Sequence, residues 1–303
     1  MRVVLTGATG MIGRALTRAL SDGGDQVVAL VRNESRGREL LGAGVDVRPW
    51  PDPAAPVPEA AIAGADAVVN LVGEPLAQRW SEQTKTRIRD SRVLGTRSLV
   101  EALRMLPDEQ RPRTLVSQSA VGYYGARDQQ PVDEGAPAGS DFLAGVVAAW
   151  EQEALAGSSS MRVAVTRTGV VLSTDGGALA KMLPFVRLGV GGPVGGGRQY
   201  LAWVHLTDAV EAIRFCLQHE PAQGPLNVTA PNAVTNAEFS RALGRALHRP
   251  AVLPVPAAAL RLLYGEMAQT VLAGQNVIPA RLSELGYVFR YPEIDPALHD
   301  LLG

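Results

Sequence analysis

The sequence predicts an α/β fold, with a doubly wound parallel sheet and a smaller C-terminal α+β lobe. Short apolar runs rich in β-branched residues alternate with helical patterns up to about residue 170, as in a sheet whose parallel strands are joined by helices. A glycine-rich turn follows the first of these runs. After about residue 172 the alternation ends in a glycine-dense region, which predicts a change of architecture.

Composition limits the function classes. The 303 residues are 46% hydrophobic and 19% charged, which is ordinary for a soluble globular protein. The formal charge of −1 gives no sign of a basic face for nucleic acid or an acidic membrane, so we expect a small-molecule ligand. The single cysteine, Cys216, excludes an internal disulfide and a thiolate metal cluster, and we predict no metal. Without a leader or an apolar run of membrane-spanning length, a cytoplasmic location is expected.

The first element is a strand over Val3–Leu5, followed by a glycine turn and a helix over Arg14–Leu20. In this turn Gly7 permits a tight bend, Gly10 lets the backbone approach a phosphate, and Gly13 lets helix and strand pack closely. The first turn of the helix then points free N–H groups and a positive dipole end at an anion. The position of the turn between a strand and a helix favours a dinucleotide site over a turn that is merely rich in glycine.

The second strand, Gln26–Val31, indicates which dinucleotide is bound. An acid at the end of this strand bonds a ribose 2′-hydroxyl, whereas an arginine accommodates a 2′-phosphate. Here Arg32 stands at that position and Arg36 follows it. A guanidinium offers a phosphate a fork of donors, so we predict NADP(H) as the cofactor. The alternative is that both arginines are solvated loop charges.

The next elements continue the alternation of strands and helices. Asn70, Leu71, Val72 and Gly73 end one strand, and strand ends of this kind face the ligand crevice of a parallel sheet. The predicted strands are 45–47, 66–71, 114–117 and 162–167, and the predicted helices are 81–106 and 141–155. Apolar stripes on the two helices fit either the sheet or a second copy of the chain, which leaves a homodimer open.

The later part of the chain predicts the smaller lobe. Gly189–Gly197 cannot form a regular element and is interpreted as a loop over a site or a flexible lid. An extended segment over Trp203–Leu206 leads into a helix opened by Thr207 and Asp208, and a strand (226–229) and a helix (236–247) follow. We therefore divide the chain into residues 1–172, joined by segments from about 200–230, and a lobe over 173–303.

Several segments together resemble the extended short-chain dehydrogenase/reductases. These are TGATGMIG at the start, NLVG, SQSAVGYYG, RTGVVLS and WVHLTDAVEA. Four further segments resemble, more narrowly, an atypical epimerase-like subfamily, related to NAD-dependent sugar-nucleotide epimerases and carrying its own C-terminal domain. They are GEPLAQRW, RIRDSRVLGTRSL, DGGALAKMLP and the long stretch over 260–292.

The resemblance implies a Rossmann-type domain that holds the cofactor and a C-terminal lobe that closes over the substrate. Arg32 would hold the 2′-phosphate, and Leu71, Val72 and Gly73 would line the adenine and nicotinamide-ribose side. Thr168, Gly169 and Val170 would lie against the nicotinamide. The residues implied for the pyrophosphate region are Thr6, Gly7, Thr9, Gly10, Met11, Ile12 and Gly13.

The chain departs from these enzymes at the catalytic pair. They use a Tyr and a Lys four residues later, in which the Lys lowers the pKa of the Tyr and the Tyr moves a proton. Here the matching positions hold Phe142 and Val146, which can do neither. The accompanying Ser is present as Ser119. Tyr123 and Tyr124 are the nearest phenols, and Tyr123 is predicted either as a proton donor or substrate contact, or as an aromatic packed on the turn.

Three more residues are candidates for the substrate. Glu74 follows the glycine at the strand end, and partial burial would suit it to acid/base work. Arg198, in a glycine loop, suits a phosphate or carboxylate. His205 is either a substrate contact or a packed histidine. Lys85, Arg87, Arg89 and Arg92 are interpreted as surface charges of a helix.

Two functions remain from the sequence. The first is an NADP(H)-dependent oxidoreductase or epimerase acting on a small polar substrate. A phosphorylated substrate and a nucleotide-linked substrate are both compatible with this hypothesis. The second is an NADP(H)-binding redox sensor or partner-binding protein with little turnover, which the loss of the Tyr/Lys pair favours. A crevice floored by Ser119 and Tyr123 would support the enzyme, and a crevice filled by apolar side chains would support the binding protein.

Overall fold

The computed structural model describes residues 1–127, 129–251 and 253–303. Its strands are β1 (Arg2–Thr6), β2 (Gln26–Val31), β3 (Asp46–Pro49), β4 (Ala67–Asn70), β5 (Thr114–Ala120), β6 (Pro131–Val132), β7 (Arg162–Thr168), β8 (Val170–Leu172), β9 (Tyr200–Leu201), β10 (Trp203–His205), β11 (Gly224–Val228), β12 (Val234–Thr235) and β13 (Asn276–Val277). Its α-helices are α1 (Met11–Asp22), α2 (Glu34–Leu41), α3 (Glu59–Ile62), α4 (Glu82–Met105), α5 (Phe142–Leu155), α6 (Gly177–Arg187), α7 (Leu206–Gln218), α8 (Asn236–Ala246), α9 (Ala257–Tyr264), α10 (Ala268–Leu272), α11 (Ala280–Glu284) and α12 (Ile294–Leu302).

The main sheet confirms the predicted doubly wound topology. Within the described residues it has seven strands, in the order β11-β7-β5-β4-β1-β2-β3, and every neighbouring pair is parallel. The chain runs outward from β1 through β2 to β3 and then returns to β4 on the other side of β1. Ligands of such sheets bind beyond the carboxyl ends of the strands at this switch point. The fold therefore places a crevice at the ends of β1 and β4.

Helices cover both faces of the sheet. On one face α1 and α7 bury residues that include Leu5, Leu16 and Ile213. On the other face α4 and α5 pack together over Leu115, and Leu99 is among the residues buried there. Burial of one such side chain stabilises the fold by about 1.5–3 kcal/mol. The strands β2 and β4 are therefore buried on both faces, as their continuous apolar runs predict.

Local side-chain caps set where three predicted helices begin. Ser81, Asp141 and Thr235 each accept a hydrogen bond from the backbone N–H three residues later. Thr235 also forms a capping box with Glu238. Because a cap stands just outside its helix, α4, α5 and α8 start at the next residue.

The smaller lobe has a core of its own. Trp203, Phe239 and Leu298 are buried there together with Leu179 of α6. Helix α6 was not predicted, because Gly176 and Gly177 begin the glycine-dense region; the structure places Pro184 inside this helix. Strand β11 pairs with β7 of the main sheet rather than with the lobe, and α7 packs against α1. Segments from the later part of the chain thus complete the dinucleotide-binding unit.

The glycine-dense loop is fixed by backbone hydrogen bonds. Gly192 N–H donates to Leu253 O at 3.0 Å, and Val255 N–H donates to Pro193 O at 2.8 Å. The side-chain oxygen of Asn236 accepts from Val194 N–H at 2.7 Å. A methyl group on Gly192 would lie 2.2 Å from Leu253 O, so a side chain does not fit. Close backbone packing accounts for at least this glycine.

Candidate functional site

The glycine turn after β1 has the geometry that its three glycines predict. Gly7 has a φ of +67°, in the left-handed region, and a methyl group on it would lie 2.4 Å from Leu71 O. A methyl group on Gly13 would lie 2.3 Å from Gly7 O. Gly10 N–H donates to Gly7 O at 3.0 Å and closes the turn. Gly7 and Gly13 are thus required by packing, and the turn holds α1 tightly against β1.

The start of α1 faces the switch point without a cap. Gly10 is the N-cap residue and supplies no side-chain hydrogen bond, and the first helical turn contains no acid. Its N–H groups and the positive end of the helix dipole are therefore available to an anion. Thr9 and Ile12 are partly buried beside this turn. A pyrophosphate fits this end of the helix.

Thr6 and Asn70 join the ends of β1 and β4. The Thr6 hydroxyl donates to Asn70 Oδ1 at 2.7 Å and accepts from Leu71 N–H at 3.1 Å. Asn70 Nδ2 donates to Thr96 Oγ1 at 2.8 Å and to Ser117 Oγ at 3.2 Å. Thr6 thus uses its side chain to fix the floor of the crevice. The sequence indicated a polar strand end at Asn70 and did not reveal its partner on α4.

Arg32 and Arg36 lie exposed at the end of β2. Asn33, between them, caps α2 by accepting from Arg36 N–H at 2.9 Å. The next arginine, Arg38, is engaged by Glu34 at 2.6 Å. Within the described part of the chain neither Arg32 nor Arg36 has an ion-pair partner. Both guanidiniums are therefore available to a phosphate at the place where the sequence predicts one.

Arg92 corrects the prediction of a surface charge. It is 9% exposed, and its guanidinium donates to Glu74 O at 3.0 Å and to Ile88 O at 3.2 Å. Burial lowers the pKa of Arg92 to about 10. A methyl group on Gly73 would lie 3.0 Å from this guanidinium. Arg92 thus shapes the loop after β4, where Leu71 and Val72 are partly buried.

The Glu74 side chain is mostly covered, with 23% of it exposed. Its carboxylate accepts from Gln78 Nε2 at 3.3 Å and lies 3.8 Å from the Arg87 guanidinium. Arg87 is an exposed residue of α4, as predicted, and its guanidinium lies near this carboxylate.

Ser119 belongs to a buried ionic network. Its hydroxyl donates to Glu151 at 2.5 Å, and Glu151 receives both Nε and Nη2 of Arg167 at 2.8 Å. Arg167 also donates to the Tyr124 hydroxyl at 3.0 Å, and that hydroxyl donates to Asn227 at 2.7 Å. Burial raises the pKa of Tyr124 to about 12, so this phenol stays protonated.

Tyr123 lies at the edge of this network. The Arg167 guanidinium carbon is 3.5 Å from the centroid of its ring, a cation–π contact, while the Tyr124 ring meets it edge-on at 5.4 Å. The ring is partly buried, and Arg167 fixes its plane. The aromatic packing that the sequence offered as one alternative is present.

Phe142 and Val146 stand at the first turns of α5. Val146 is buried, whereas Phe142 is partly buried and meets the Trp80 ring edge-on at 5.4 Å. The Lys85 ammonium lies 5.3 Å above the Phe142 ring centroid. Lys85 also pairs with Glu82 at 3.3 Å and with Glu266, and only 15% of its side chain is exposed. The structure thus corrects the prediction that Lys85 is a surface charge.

The segment after β7 lies across the crevice from α1. Val170 N–H donates to Ala202 O at 2.7 Å, and a methyl group on Gly169 would lie 2.6 Å from the same oxygen. Thr168 is buried at the strand end. Further along, positions Gly176 and Gly177 approach the Met11 side chain, with its Sδ 3.5 Å from a methyl group placed on Gly176. The start of α1 therefore lies between the ends of two strands and the loop before α6.

Arg198 and His205 lie in different settings. Arg198 is exposed in the glycine loop. His205 is buried and caps α7, since its Nδ1 accepts from Thr207 N–H at 3.1 Å. Its Nε2 is 3.4 Å from Asp300, and its ring stacks on Tyr291 with centroids 4.0 Å apart. The packed histidine offered by the sequence is the arrangement found, and α7 begins at Leu206 rather than Thr207.

In the part of the chain that the structure describes, neither a metal site nor a membrane-spanning helix is found. Its residues contain no group of three His, Cys, Asp or Glu side chains placed to hold a metal ion. None of its helices combines the length and apolar character needed to cross a bilayer. Cys216 is fully buried, and burial raises the pKa of its thiol to about 12, which suits a packing role.

Two family models match the chain. A family model described as "NAD dependent epimerase/dehydratase family" matches residues 3–229. A second model, "Domain of unknown function (DUF1731)", matches residues 255–301. Together they confirm the resemblance to epimerase-like proteins that carry an additional C-terminal domain.

Individual relatives match over the whole chain. "Epimerase family protein SDR39U1 homolog, chloroplastic" from Arabidopsis thaliana is 41% identical, covering 100% of this chain and 87% of the relative. The crystal structure of human epimerase family protein SDR39U1 with NADPH is 36% identical with a TM-score of 0.89, covering 100% of this chain and 99% of that one. The nucleoside-diphosphate sugar epimerase from Corynebacterium glutamicum is 34% identical with a TM-score of 0.79, covering 100% and 58%.

Proposed function

The chain belongs to the NAD dependent epimerase/dehydratase family, and we propose that it is an NADP(H)-dependent oxidoreductase or epimerase-like enzyme acting on a small polar substrate. The observation that carries the cofactor choice is the pair of exposed guanidiniums, Arg32 and Arg36, at the end of β2. An NAD site would need an acid there. The human relative was crystallised with NADPH, which supports the same choice.

The residues around the switch point fit such a dinucleotide. We propose that the uncapped start of α1, from Gly10 to Gly13, receives the pyrophosphate and that Arg32 and Arg36 receive the 2′-phosphate. Leu71–Gly73 and Thr168–Val170 would line the ribose and nicotinamide sides. When bound, the nicotinamide would supply or accept a hydride. Ser119, through Glu151 and Arg167, would keep Tyr123 in place at the substrate side.

The cofactor proposal is tested by titrating the protein with NADPH and NADH and following fluorescence. Arg32→Ala should weaken NADPH binding about 10- to 100-fold, as expected for loss of one charge-assisted contact, and leave NADH binding unchanged. Arg38→Ala is the matched control, because Arg38 is held by Glu34 on the same helix. Equal affinity for the two cofactors in the unmodified protein would overturn the proposal.

A second function has its own supporting observation. Phe142 and Val146 replace the proton-transferring pair, so the protein could bind NADP(H) as a redox sensor or partner-binding module with little turnover. A screen for hydride transfer with carbonyl compounds and sugar nucleotides separates the two functions. Oxidation of NADPH by one of these compounds supports the enzyme. Tight NADPH binding with no turnover across the screen supports the sensor.

The cytoplasmic location and the homodimer stay predictions. The homodimer hypothesis places α4 and α5 of two copies together. Arg97 of α4 and Glu153 of α5 already pair with each other at 2.5 Å on this surface. Light scattering of the purified protein tests it, since a mass near 32.0 kDa would exclude a stable dimer.

A further inference from the structure

Lysine is rare in this chain, and its positions are informative. Lys85 and Lys181 are the two lysines among 29 Lys and Arg residues. A guanidinium does not release its proton in a protein, whereas an ammonium can. For a salt bridge or a solvated surface the chain uses arginine almost everywhere. Lys85 and Lys181 are therefore the side-chain ammonium groups of this chain.

Lys181 contacts the segment that follows β4, and Lys85 lies in α4, just after that segment. Lys181, on α6, donates to Ala77 O at 2.8 Å. Lys85, in the first turn of α4, lies over Phe142 and pairs with Glu82 and Glu266. Phe142 occupies the position that the resemblance assigns to the catalytic Tyr, so the Lys85 ammonium lies beside the place where these enzymes transfer a proton. Lys181 acts differently, as a tether between α6 and this segment.

Glu266 is contributed by the C-terminal region whose family model carries no known function. The short 3₁₀ turn Gly265–Met267 follows α9 and lies over the segment after β4. In the same place Arg79 donates to Leu262 O at 2.7 Å. The C-terminal region thus crosses this segment and presents a carboxylate to the Lys85 ammonium. Hydrogen bonding to Glu266 raises the pKa of Lys85 and keeps it protonated.

We propose that Lys85 is the proton donor of this enzyme and that Glu266 is its positioning residue, so that the C-terminal region completes the catalytic site. The proposal rests on the proposed oxidoreductase function. In the direction of reduction, Lys85 Nζ gives a proton to the substrate oxygen as the carbonyl carbon accepts a hydride from NADPH. The C=O double bond becomes a CH–OH group, NADPH becomes NADP⁺, and the neutral amine regains a proton from water.

Other groups around the crevice are less suited to this role. Glu74 is engaged by Gln78 and lies near Arg87. Tyr123 packs the face of its ring on Arg167, and its proposed role is a substrate contact rather than the proton donor. Arg79 and Arg198 are guanidiniums and cannot donate a proton at neutral pH. Lys85 combines a transferable proton with a place beside Phe142.

The first test is amine labelling of the full chain with acetic anhydride, read by mass spectrometry of the two lysine peptides. NADPH should remove most of the labelling of Lys85 and leave Lys181 unchanged. Glu266→Gln should increase labelling of Lys85 near neutral pH, because loss of the carboxylate lowers the pKa of the ammonium. If NADPH binds by fluorescence and Lys85 labelling does not change, the proposal is wrong. If NADPH does not bind, the proposed function itself fails.

The second test uses any carbonyl compound of the screen that the unmodified protein reduces. Lys85→Met and Lys85→Arg should both lower kcat about 10²- to 10⁴-fold, the usual contribution of a general acid, while Lys181→Met should not. Full activity of Lys85→Arg would show that only a positive charge is needed and would overturn the proton-donor role. In Glu266→Gln the loss of activity at high pH should begin at a lower pH than in the unmodified protein. The labelling test can overturn the proposal whether or not a reduced compound is found, and the kinetic test separates a proton donor from a lysine that only lies near the cofactor.

Discussion

Two ion pairs near the crevice differ in setting. Arg167 and Glu151 are 3% and 5% exposed and are joined by two hydrogen bonds of 2.8 Å. Ser119 also donates to Glu151, and Arg167 also donates to the Tyr124 hydroxyl and to Glu134 O. Lys85 and Glu266 are 15% and 57% exposed, and they connect α4 with the C-terminal region. The first pair lies inside one domain, and the second crosses between two regions of the chain.

This difference separates a structural pair from a proposed functional one. A buried pair is costly to break because the partner left behind has neither water nor a counter-charge. A partly exposed pair contributes little stability, because water screens it in the folded state. A proton donor must be able to exchange its partner for a substrate, which the Lys85 pair allows and the Arg167 pair does not. Ser119 is therefore better explained as part of the support for Arg167.

The largest expected effect is the loss of Glu151. Glu151→Ala should lower the free energy of unfolding by about 3–5 kcal/mol, because Arg167 stays buried without its counter-charge. Glu153→Ala, two residues along the same helix, removes an exposed pair with Arg97 and should cost less than about 1 kcal/mol. Urea denaturation measures both. Equal losses in the two variants would show that burial does not distinguish the pairs.

The next effect concerns the phenols that flank Arg167. Tyr124→Phe should cost about 1–3 kcal/mol, because Asn227 loses a donor and Arg167 loses an acceptor in a buried place. Tyr123→Phe keeps the ring that stacks on Arg167 and should change stability by less than about 0.5 kcal/mol. A large loss of stability in Tyr123→Phe would mean that its hydroxyl, too, belongs to the network.

A smaller effect is expected at the pair that joins the two regions. Glu266→Gln should lower the free energy of unfolding by less than about 1 kcal/mol, since more than half of this side chain is exposed. Thermal unfolding of the variant beside the unmodified protein checks this. A loss as large as that of Glu151→Ala would assign Glu266 a structural role and weaken the functional distinction between the pairs.

The smallest effect should come from His205. Its side chain is 3% exposed and that of its neighbour Asp300 is 47% exposed, so this pair has one buried and one exposed member. Burial lowers the pKa of His205, while Asp300 and Asp208 oppose the shift and reduce it. The unfolded chain therefore binds the proton more readily. The free energy of unfolding should have its full value above about pH 6.5, the pKa of a histidine in the unfolded chain, and should fall as the pH falls below it.

His205→Asn is the matched variant for this last prediction. An asparagine can still cap α7, as Nδ1 of His205 does for Thr207 N–H, but it does not titrate. Urea denaturation of both proteins between pH 7 and about pH 5 compares the slopes. A slope that is unchanged in His205→Asn would assign the pH dependence to other groups.

Features encoded within a few residues were predictable from the sequence. The turn from Gly7 to Gly13 and the arginine after β2 depend on neighbours along the chain, whereas Ser81 and Asp141 were placed inside the helices that they cap. The strand after Val45 was placed one residue early, and α6 was missed because Gly176 and Gly177 are typical of loops. The burial of Arg92 was missed as well, because the sequence does not show which face of a helix packs against a loop.

The sequence by itself determined the sheet, the dinucleotide-binding turn and the absence of a titrating Tyr/Lys pair, since each follows from local propensity or from residue identity. The tertiary structure alone decided that Glu151 neutralises Arg167 and that Glu266 meets Lys85. The members of the second pair lie on segments far apart in the chain, and only packing of the C-terminal region over the segment after β4 brings them together. Spacing in a sequence reports helical and strand neighbours, but contacts between distant segments depend on how whole elements pack.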